Sequence, residues 1–202
     1  YTAKELFAAL IEKMSPGTPV KSTYLDGLGT DEIPLYLSGD AIRQISPYYL
    51  KVTFSDFFDS MAALYDVGFG IETISGVETA VLEQRSYFYD NTNITNIGEV
   101  SELSVSSAPD MMAKSISAGY QTNEYKELNG RDEFNAVQNW ITGYKRIDTE
   151  VDLKSPIRAD MYGIDNLRIS YTGDDSTDTS DDNSVFIVDA EFVGVSLGVD
   201  YY

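Results

Sequence analysis

Apolar side chains at helical spacing mark two segments of this chain and constrain its fold more than any other feature. In the first segment, Thr2 and Glu5 form a capping-box pattern ahead of a single apolar stripe. In the second, Thr53 provides a cap and apolar residues again recur every three or four positions. The spacing predicts helices over residues 2–14 and 54–66. Since stripes of this kind usually face their own core, we expect the first helix to pack inside the domain, with binding to a partner as the alternative.

A third helix is predicted over residues 156–169, with Ser155 as its cap and Pro156 in the first helical position. Between and after the helices, alternating or β-branched runs bounded by turn signals predict strands. These runs cover residues 71–74, 77–84, 97–105, 115–120, 134–147, 185–193 and 195–201. The combination predicts an α+β fold, with antiparallel β-sheet or barrel pieces and about three packing helices.

Gly68 and Gly70 flank Phe69 directly after the second predicted helix. A phosphate-binding loop is one interpretation, but such a loop opens a helix and is completed by a Lys, which is missing here. We interpret the two glycines as the end of the helix and the start of a strand.

The length of 202 residues suits either one α+β domain over 1–202 or two interlocked subdomains, about 1–84 and 85–202. The chain starts at Tyr1, without an initiator Met or the features of a signal peptide, so we expect a fragment of a longer chain. No apolar run approaches the roughly 18 to 20 residues that a membrane helix needs.

The charge balance restricts the partners. Fourteen Lys and Arg stand against 33 Asp and Glu, so the net charge is 14 − 33 = −19. A field of this sign opposes phosphate backbones and anionic lipid surfaces. We therefore expect neither direct nucleic-acid binding nor membrane binding.

The chain contains neither His nor Cys. This excludes Ser-His-Asp and Cys-His nucleophile arrangements, zinc sites built on His or Cys, and disulfides within the chain. Carboxylate, Lys or Tyr chemistry remains, or none. We predict no enzymatic activity, no cofactor and no resident metal.

Residues 173–183 form an acidic stretch without an apolar residue and contain the one candidate metal site. Asp174, Ser176 and Asp178 follow the spacing that begins a calcium-binding EF-hand loop. The pattern then fails, because Thr179 stands where that loop needs Gly and the closing bidentate Glu is missing. We interpret the stretch as a solvated hairpin tip, with calcium binding as the alternative.

Paired carboxylates could support glycoside hydrolysis, which needs two of them at a set separation. With 33 acidic residues, some pair occurs at any chosen spacing. The candidate pairs, Asp56 with Asp59 and Asp132 with Glu133, are therefore equally explained as surface charge.

The 15 tyrosines and the single Trp140 carry more information. Tyr provides a large contact area with a polar tip, so it is enriched at protein interfaces. Partner contact, packing on the chain's own sheets and, third, sugar stacking on exposed Tyr and Trp140 all remain open. The tyrosines expected in loops or strands are Tyr24, Tyr36, Tyr48, Tyr49, Tyr87, Tyr89, Tyr120, Tyr125, Tyr144, Tyr201 and Tyr202.

Six short segments within residues 50–170 share no catalytic pattern. They are FF at 57–58, GFGIE at 68–72, RSYFY at 85–89, KSISAGY at 114–120, GRDEFN at 130–135 and SPIRADMYGI at 155–164. Together they resemble structural proteins of tailed phages and prophages of gut Bacteroidetes, crAss-like phages included. The resemblance implies a virion component, a tail or baseplate hub-like domain that combines β-barrel pieces with packing helices and forms symmetric rings.

The resemblance therefore implies a structural assembly module that acts by protein–protein packing in the phage or prophage particle. Its partners would be other virion proteins and, in the parent protein, further copies of itself; no catalytic residue is carried over. The negative charge would suit a ring whose lumen lets DNA pass without binding it. Two alternatives stay open: a secreted or surface carbohydrate-binding or adhesion domain of a gut bacterium, and a carboxylate-dependent hydrolase.

Overall fold

Helices and strands are interspersed along the chain. The computed structural model describes residues 1–28, 33–47, 49–89, 98–106, 108, 112–120, 137–144, 146–169, 182–193 and 196–199. The α-helices in these ranges are α1 (Ala3–Met14), α2 (Thr23–Gly27), α3 (Gly39–Ile42), α4 (Phe54–Tyr65) and α5 (Met161–Ile169), and Arg85–Phe88 forms a 3-10 helix. The strands are β1 (Val20–Lys21), β2 (Ile33–Ser38), β3 (Val67–Ile74), β4 (Val77–Gln84), β5 (Ser115–Tyr120), β6 (Gln138–Ile141), β7 (Glu150–Ser155), β8 (Val185–Val193) and β9 (Ser196–Val199). The predicted α+β class is confirmed.

Helix α1 begins with the predicted capping box. The Glu5 amide donates to the Thr2 hydroxyl at 3.2 Å, and the Thr2 amide donates to the Glu5 carboxylate at 2.9 Å. These two bonds satisfy main-chain donors that the first turn of a helix leaves unpaired. The apolar stripe of α1 is buried, as predicted, through Ala3, Leu6, Phe7 and Ile11.

Helix α4 begins after Thr53, whose hydroxyl accepts a hydrogen bond from the Asp56 amide at 3.1 Å. It ends at Asp66, which adopts a left-handed conformation with φ of 51°. The helix predicted over 54–66 is confirmed. The two glycines that we expected to end it lie in β3 instead.

Gly68 and Gly70 make room for the ring of Phe88, which lies against the backbone of β3. A Cβ on Gly68 would stand 2.8 Å from Phe88 Cδ2, and one on Gly70 would stand 2.9 Å from Phe88 Cε1. Contacts this short do not persist for a Cβ atom, so a larger residue at either position would force the Phe88 ring to shift.

Strands β3 and β4 form the predicted hairpin, and β1 adds to β4 in parallel. Ile74 pairs with Val77 across a two-residue turn. The turn residues Ser75 and Gly76 have φ of 53° and 83°. Two positive φ angles match the twist that a tight hairpin requires.

The sheet β2-β8-β9 separates two cores. Tyr36 pairs with Ile187 on one face, and Leu35 pairs with Val188 on the other. The first face packs in the main core with α1 and α4, and the second packs against α5. Strand β2 lies at the edge of this sheet. Pro34 has no amide to donate, and at an edge this leaves no bond of the sheet unmade.

The third helix starts later than predicted, and the assignment of 156–169 with a cap at Ser155 is wrong in its first turn. Ser155 ends β7 and is fully buried, with its hydroxyl donating to the Ile157 carbonyl. Ile157 is buried in the main core, which keeps this segment extended. Asp160 caps the start of α5 instead, because its Oδ1 accepts a hydrogen bond from the Gly163 amide at 2.9 Å.

The third sheet has the order β6-β5-β7, with β6 antiparallel and β7 parallel to β5. A strand predicted over 97–105 is wrong, since residues 98–106 contain no strand. Its apolar residues Leu103 and Val105 are exposed, so no packing supports their alternation. The expected antiparallel or barrel pieces are three separate sheets, two of them mixed, and the described residues form no closed barrel.

Candidate functional site

The acidic stretch at 173–183 is described only at its end, where Asp182 and Asn183 lead into β8. Its candidate calcium ligands, Asp174, Ser176 and Asp178, lie outside the described residues, so calcium binding there stays a prediction. Elsewhere in the described part of the chain, no group of three or more acidic side chains is arranged to hold a metal ion.

Asp182 and Arg43 form a buried ion pair. Arg43 Nη1 lies 2.5 Å from Asp182 Oδ2, and the two side chains are 2% and 0% exposed. Main-chain hydrogen bonds also join the start of α3 to the residues just before β8, and we call this contact the junction. The Gly39 amide donates to the Ser184 carbonyl at 3.0 Å, and the Asp40 amide donates to the Asp182 carbonyl at 2.8 Å. The pair therefore anchors the end of the acidic stretch to α3, which is a structural role.

Arg158 lies beside this junction in a cleft of about 280 Å³. Its Nη2 donates to the Ser184 hydroxyl at 2.6 Å, and its Nη1 lies 3.8 Å from Asp160 Oδ2. Lys51 at the same cleft donates to the Asn183 side chain at 2.8 Å. Both cations of the cleft are thus engaged by groups of the chain itself.

The candidate acid pair Asp56 and Asp59 lies in one groove of about 440 Å³ beside α4. Asp56 accepts from the Thr53 hydroxyl at 2.7 Å, and Asp59 accepts from the Ser55 hydroxyl at 3.1 Å. Both carboxylates thus bond within their own helix. The groove also contains both signs of charge, contributed by Arg85, Asp152 and Lys154. The other candidate pair, at 132–133, lies outside the described residues, and hydrolysis stays a prediction.

Three tyrosines surround Asp189 at the border of the main core. The Tyr65 hydroxyl donates to Asp189 Oδ1 at 2.7 Å. Burial, together with this bond, raises the pKa of Tyr65 far above its usual range. Burial and the negative charge of Asp189 likewise raise the pKa values of Tyr36 and Tyr120. The three phenols therefore stay protonated at neutral pH.

An apolar cleft of about 400 Å³ opens between α1, β2 and residues 49–52. Leu10 of α1 and Leu50 contribute to its wall, and Lys13 lies at its border. The cleft has the volume of a small-molecule site, but it offers few polar groups to orient a ligand.

The sheet β6-β5-β7 has one apolar face. In register, Ile116 pairs with Trp140 and Val151, and Ala118 pairs with Leu153. Paired residues of neighbouring strands point to the same side, so these five side chains share a face. Trp140 is 49% exposed and Leu153 is 41% exposed. This apolar face is therefore partly open to solvent.

On the opposite face of this sheet, β6 contributes one polar and one apolar side chain, Asn139 and Ile141. Ser117 Oγ lies 2.5 Å from Asn139 Oδ1 across the β5–β6 pair. All four residues of β6 are exposed, and Ile141 on this face is 84% exposed. Sequence analysis predicted an extended segment around Trp140 but did not identify β6 as a sheet edge.

The tyrosines singled out as interface candidates divide between core and surface. Tyr36 is buried, while Tyr24 and Tyr120 are half-buried. The exposed ones are Tyr49, Tyr87, Tyr89 and Tyr144, and those outside the described residues are Tyr48, Tyr125, Tyr201 and Tyr202. Packing on the chain's own core thus applies to Tyr36, and partner contact through the exposed tyrosines stays a prediction.

The chain matches no protein-family model, no curated protein sequence and no solved structure. Within the residues that the structure describes, no helix is both long and apolar enough to span a bilayer.

Proposed function

We propose that this chain is a structural assembly module of a phage-like particle, tail or baseplate hub-like, and that it acts by packing against other protein surfaces. The observation that carries the proposal is the sheet β6-β5-β7, which combines a partly open apolar face with an exposed edge strand. Such surfaces are typical of contacts between proteins. The resemblance of six segments to phage structural proteins supports the particle setting.

The position of Trp140 strengthens this proposal. Trp is among the residues that dominate binding energy at protein interfaces, because it buries a large apolar area. Trp140 is flanked on its face by Ile116 and is half-exposed, so a partner could still cover a substantial part of its ring. Covering this ring would remove apolar area from water and stabilise an assembly.

Net charge determines how such an assembly should respond to salt. Copies that each carry a charge of −19 repel one another at low ionic strength. Salt screens this repulsion but leaves contacts between apolar surfaces intact. We therefore expect self-association to become stronger with added salt, in contrast to assembly through ion pairs.

Sedimentation velocity of the whole chain tests the proposal, from about 10 µM to about 1 mM protein and from about 0.05 to about 0.5 M NaCl. We expect reversible, concentration-dependent association that strengthens with salt. A chain that remains monomeric at every concentration and salt level would contradict the proposal.

One observation favours carbohydrate binding as a second candidate. Gln138 shares the exposed face with Trp140, and an amide beside an indole ring can bond sugar hydroxyls while the ring stacks on the sugar. Because Trp140 is the single Trp, its fluorescence reports directly on this surface. A saturable change with soluble oligosaccharides, in a chain that does not self-associate, would favour this candidate over assembly.

A further inference from the structure

We infer that the partner of strand β6 is the β6 strand of a second copy, paired antiparallel so that Trp140 of one copy lies opposite Trp140 of the other. This inference rests on the proposed assembly function and names the surface and the occupant. Pairing of the two β6 strands would join two three-stranded sheets into one sheet of six strands.

In the described part of the chain, no strand pairs with the outer edge of β6. Among the described residues, β6 is bonded on one side only, by β5. All four of its residues are exposed. Natural edge strands are commonly protected by Lys, Pro or a bulge, because an open edge recruits other strands. Gln138, Asn139, Trp140 and Ile141 include none of these protections.

The hydrogen-bond pattern shows which main-chain groups face outward. The Thr142 amide donates to the Lys114 carbonyl at 2.8 Å, next to the β5–β6 register. Bonded and non-bonded pairs alternate along an antiparallel ladder, so Trp140 also directs its amide and carbonyl towards β5. The amides and carbonyls of Asn139 and Ile141 then point away from β5, towards the open edge.

This arrangement is self-complementary. If Trp140 lies opposite its own copy, Asn139 of each chain lies opposite Ile141 of the other, and their outward groups can exchange bonds in both directions. The two Trp140 residues then form a non-hydrogen-bonded pair, in which facing side chains come closest. The indoles would contact each other across the two-fold axis.

Charge also favours a second copy as the occupant. Residues 137–144 contain no Asp, Glu, Lys or Arg, although the whole chain has a net charge of −19. Antiparallel self-pairing therefore places no like charges opposite one another, which would otherwise oppose the contact. A basic partner attracted by the acidic surface would find no carboxylate on this strand to bind.

The contact is small, so it should be weak for the isolated chain. Pairing two four-residue strands buries less than the standard protein interface, so we expect weak binding with a dissociation constant on the order of 0.1 to 1 mM. In a particle, several such contacts act together and the effective affinity rises. The experiment therefore has to reach millimolar protein concentration.

Circular dichroism and sedimentation together test the pairing. Two indoles in contact couple excitonically and give a far-ultraviolet couplet. Since the chain has one Trp, a couplet that grows with concentration reports contact between copies. We expect it in the wild type at about 0.5 mM and above, together with a dimer by sedimentation.

Two pairs of variants separate this interface from other modes of association. Asn139→Pro removes an outward amide, while Asn139→Ala loses the same side chain but keeps the amide. Trp140→Lys opposes two like charges at the axis, while Ile169→Lys changes the net charge equally at an exposed residue of α5. We expect Asn139→Pro and Trp140→Lys to weaken dimerisation at least about tenfold and the two controls to dimerise like the wild type.

The outcomes distinguish the inference from the proposed function. Dimers that persist in both Asn139→Pro and Trp140→Lys would overturn the β6 pairing but leave assembly through another surface. Equal loss in Asn139→Pro and Asn139→Ala would also overturn it, because the main-chain bond would then be irrelevant. A wild type that stays monomeric throughout would overturn both. Far-ultraviolet spectra of dilute samples confirm that each variant is folded.

Discussion

Replacing Asp182 by Asn removes the negative charge that faces Arg43 in the buried junction between α3 and β8. The substitution preserves the size of the side chain, so the change is mainly electrostatic. Because the two side chains are almost fully buried, the guanidinium that remains cannot be hydrated in compensation. Breaking a buried ion pair in this way costs about 3 to 5 kcal/mol. We expect Asp182→Asn to lower the free energy of unfolding by that amount.

Urea unfolding followed by circular dichroism measures this loss, with Asp165→Asn as the matched control. Asp165 pairs with Arg168 at 3.0 Å, but both side chains are more than half exposed. Exposed pairs of this kind contribute about 0.3 to 0.5 kcal/mol. If Asp182→Asn cost no more than Asp165→Asn, the assignment of Asp182 as the buried anchor of the acidic stretch would be refuted.

Three further substitutions test local features of the fold. Gly68→Ala places a Cβ against the ring of Phe88, so we expect the free energy of unfolding to fall by about 1 to 3 kcal/mol in urea titrations. Tyr36→Phe removes a buried hydroxyl that has no partner among the described residues, and thermal melts should show unchanged or slightly higher stability. Burial and the bond to Asp189 raise the pKa of Tyr65 in the folded state. The unfolded chain therefore loses this proton first, and stability should fall as the pH rises above about 10; Tyr65→Phe should flatten that fall in pH-dependent urea titrations.

The local part of the fold could be predicted from the sequence. The capping box of Thr2 and Glu5 and the stripe of α1 act over a few residues, so their pattern is sufficient. The hairpin of β3 and β4 is equally local. The start of α5 was mispredicted because Ser155 and Pro156 look like a helix start, whereas burial of Ile157 in the main core decides the conformation.

The contacts that define the candidate sites are long-range and could not be predicted. Arg43 and Asp182 are 139 positions apart, and Tyr65 and Asp189 are 124 apart. Charge type and spacing along the chain carry no information on such pairs. The extended character of the segment around Trp140 was predictable, but its place at the edge of a sheet depends on which strands pair, and pairing is not encoded locally.

The role of β6 as a covered edge can be tested most directly by amide hydrogen exchange at residue resolution across protein concentrations. The amides of Asn139 and Ile141 should exchange freely in dilute samples and become protected near millimolar concentration, while amides within the β3–β4 ladder stay equally protected throughout. Exchange at Asn139 and Ile141 that does not change with concentration would contradict the account.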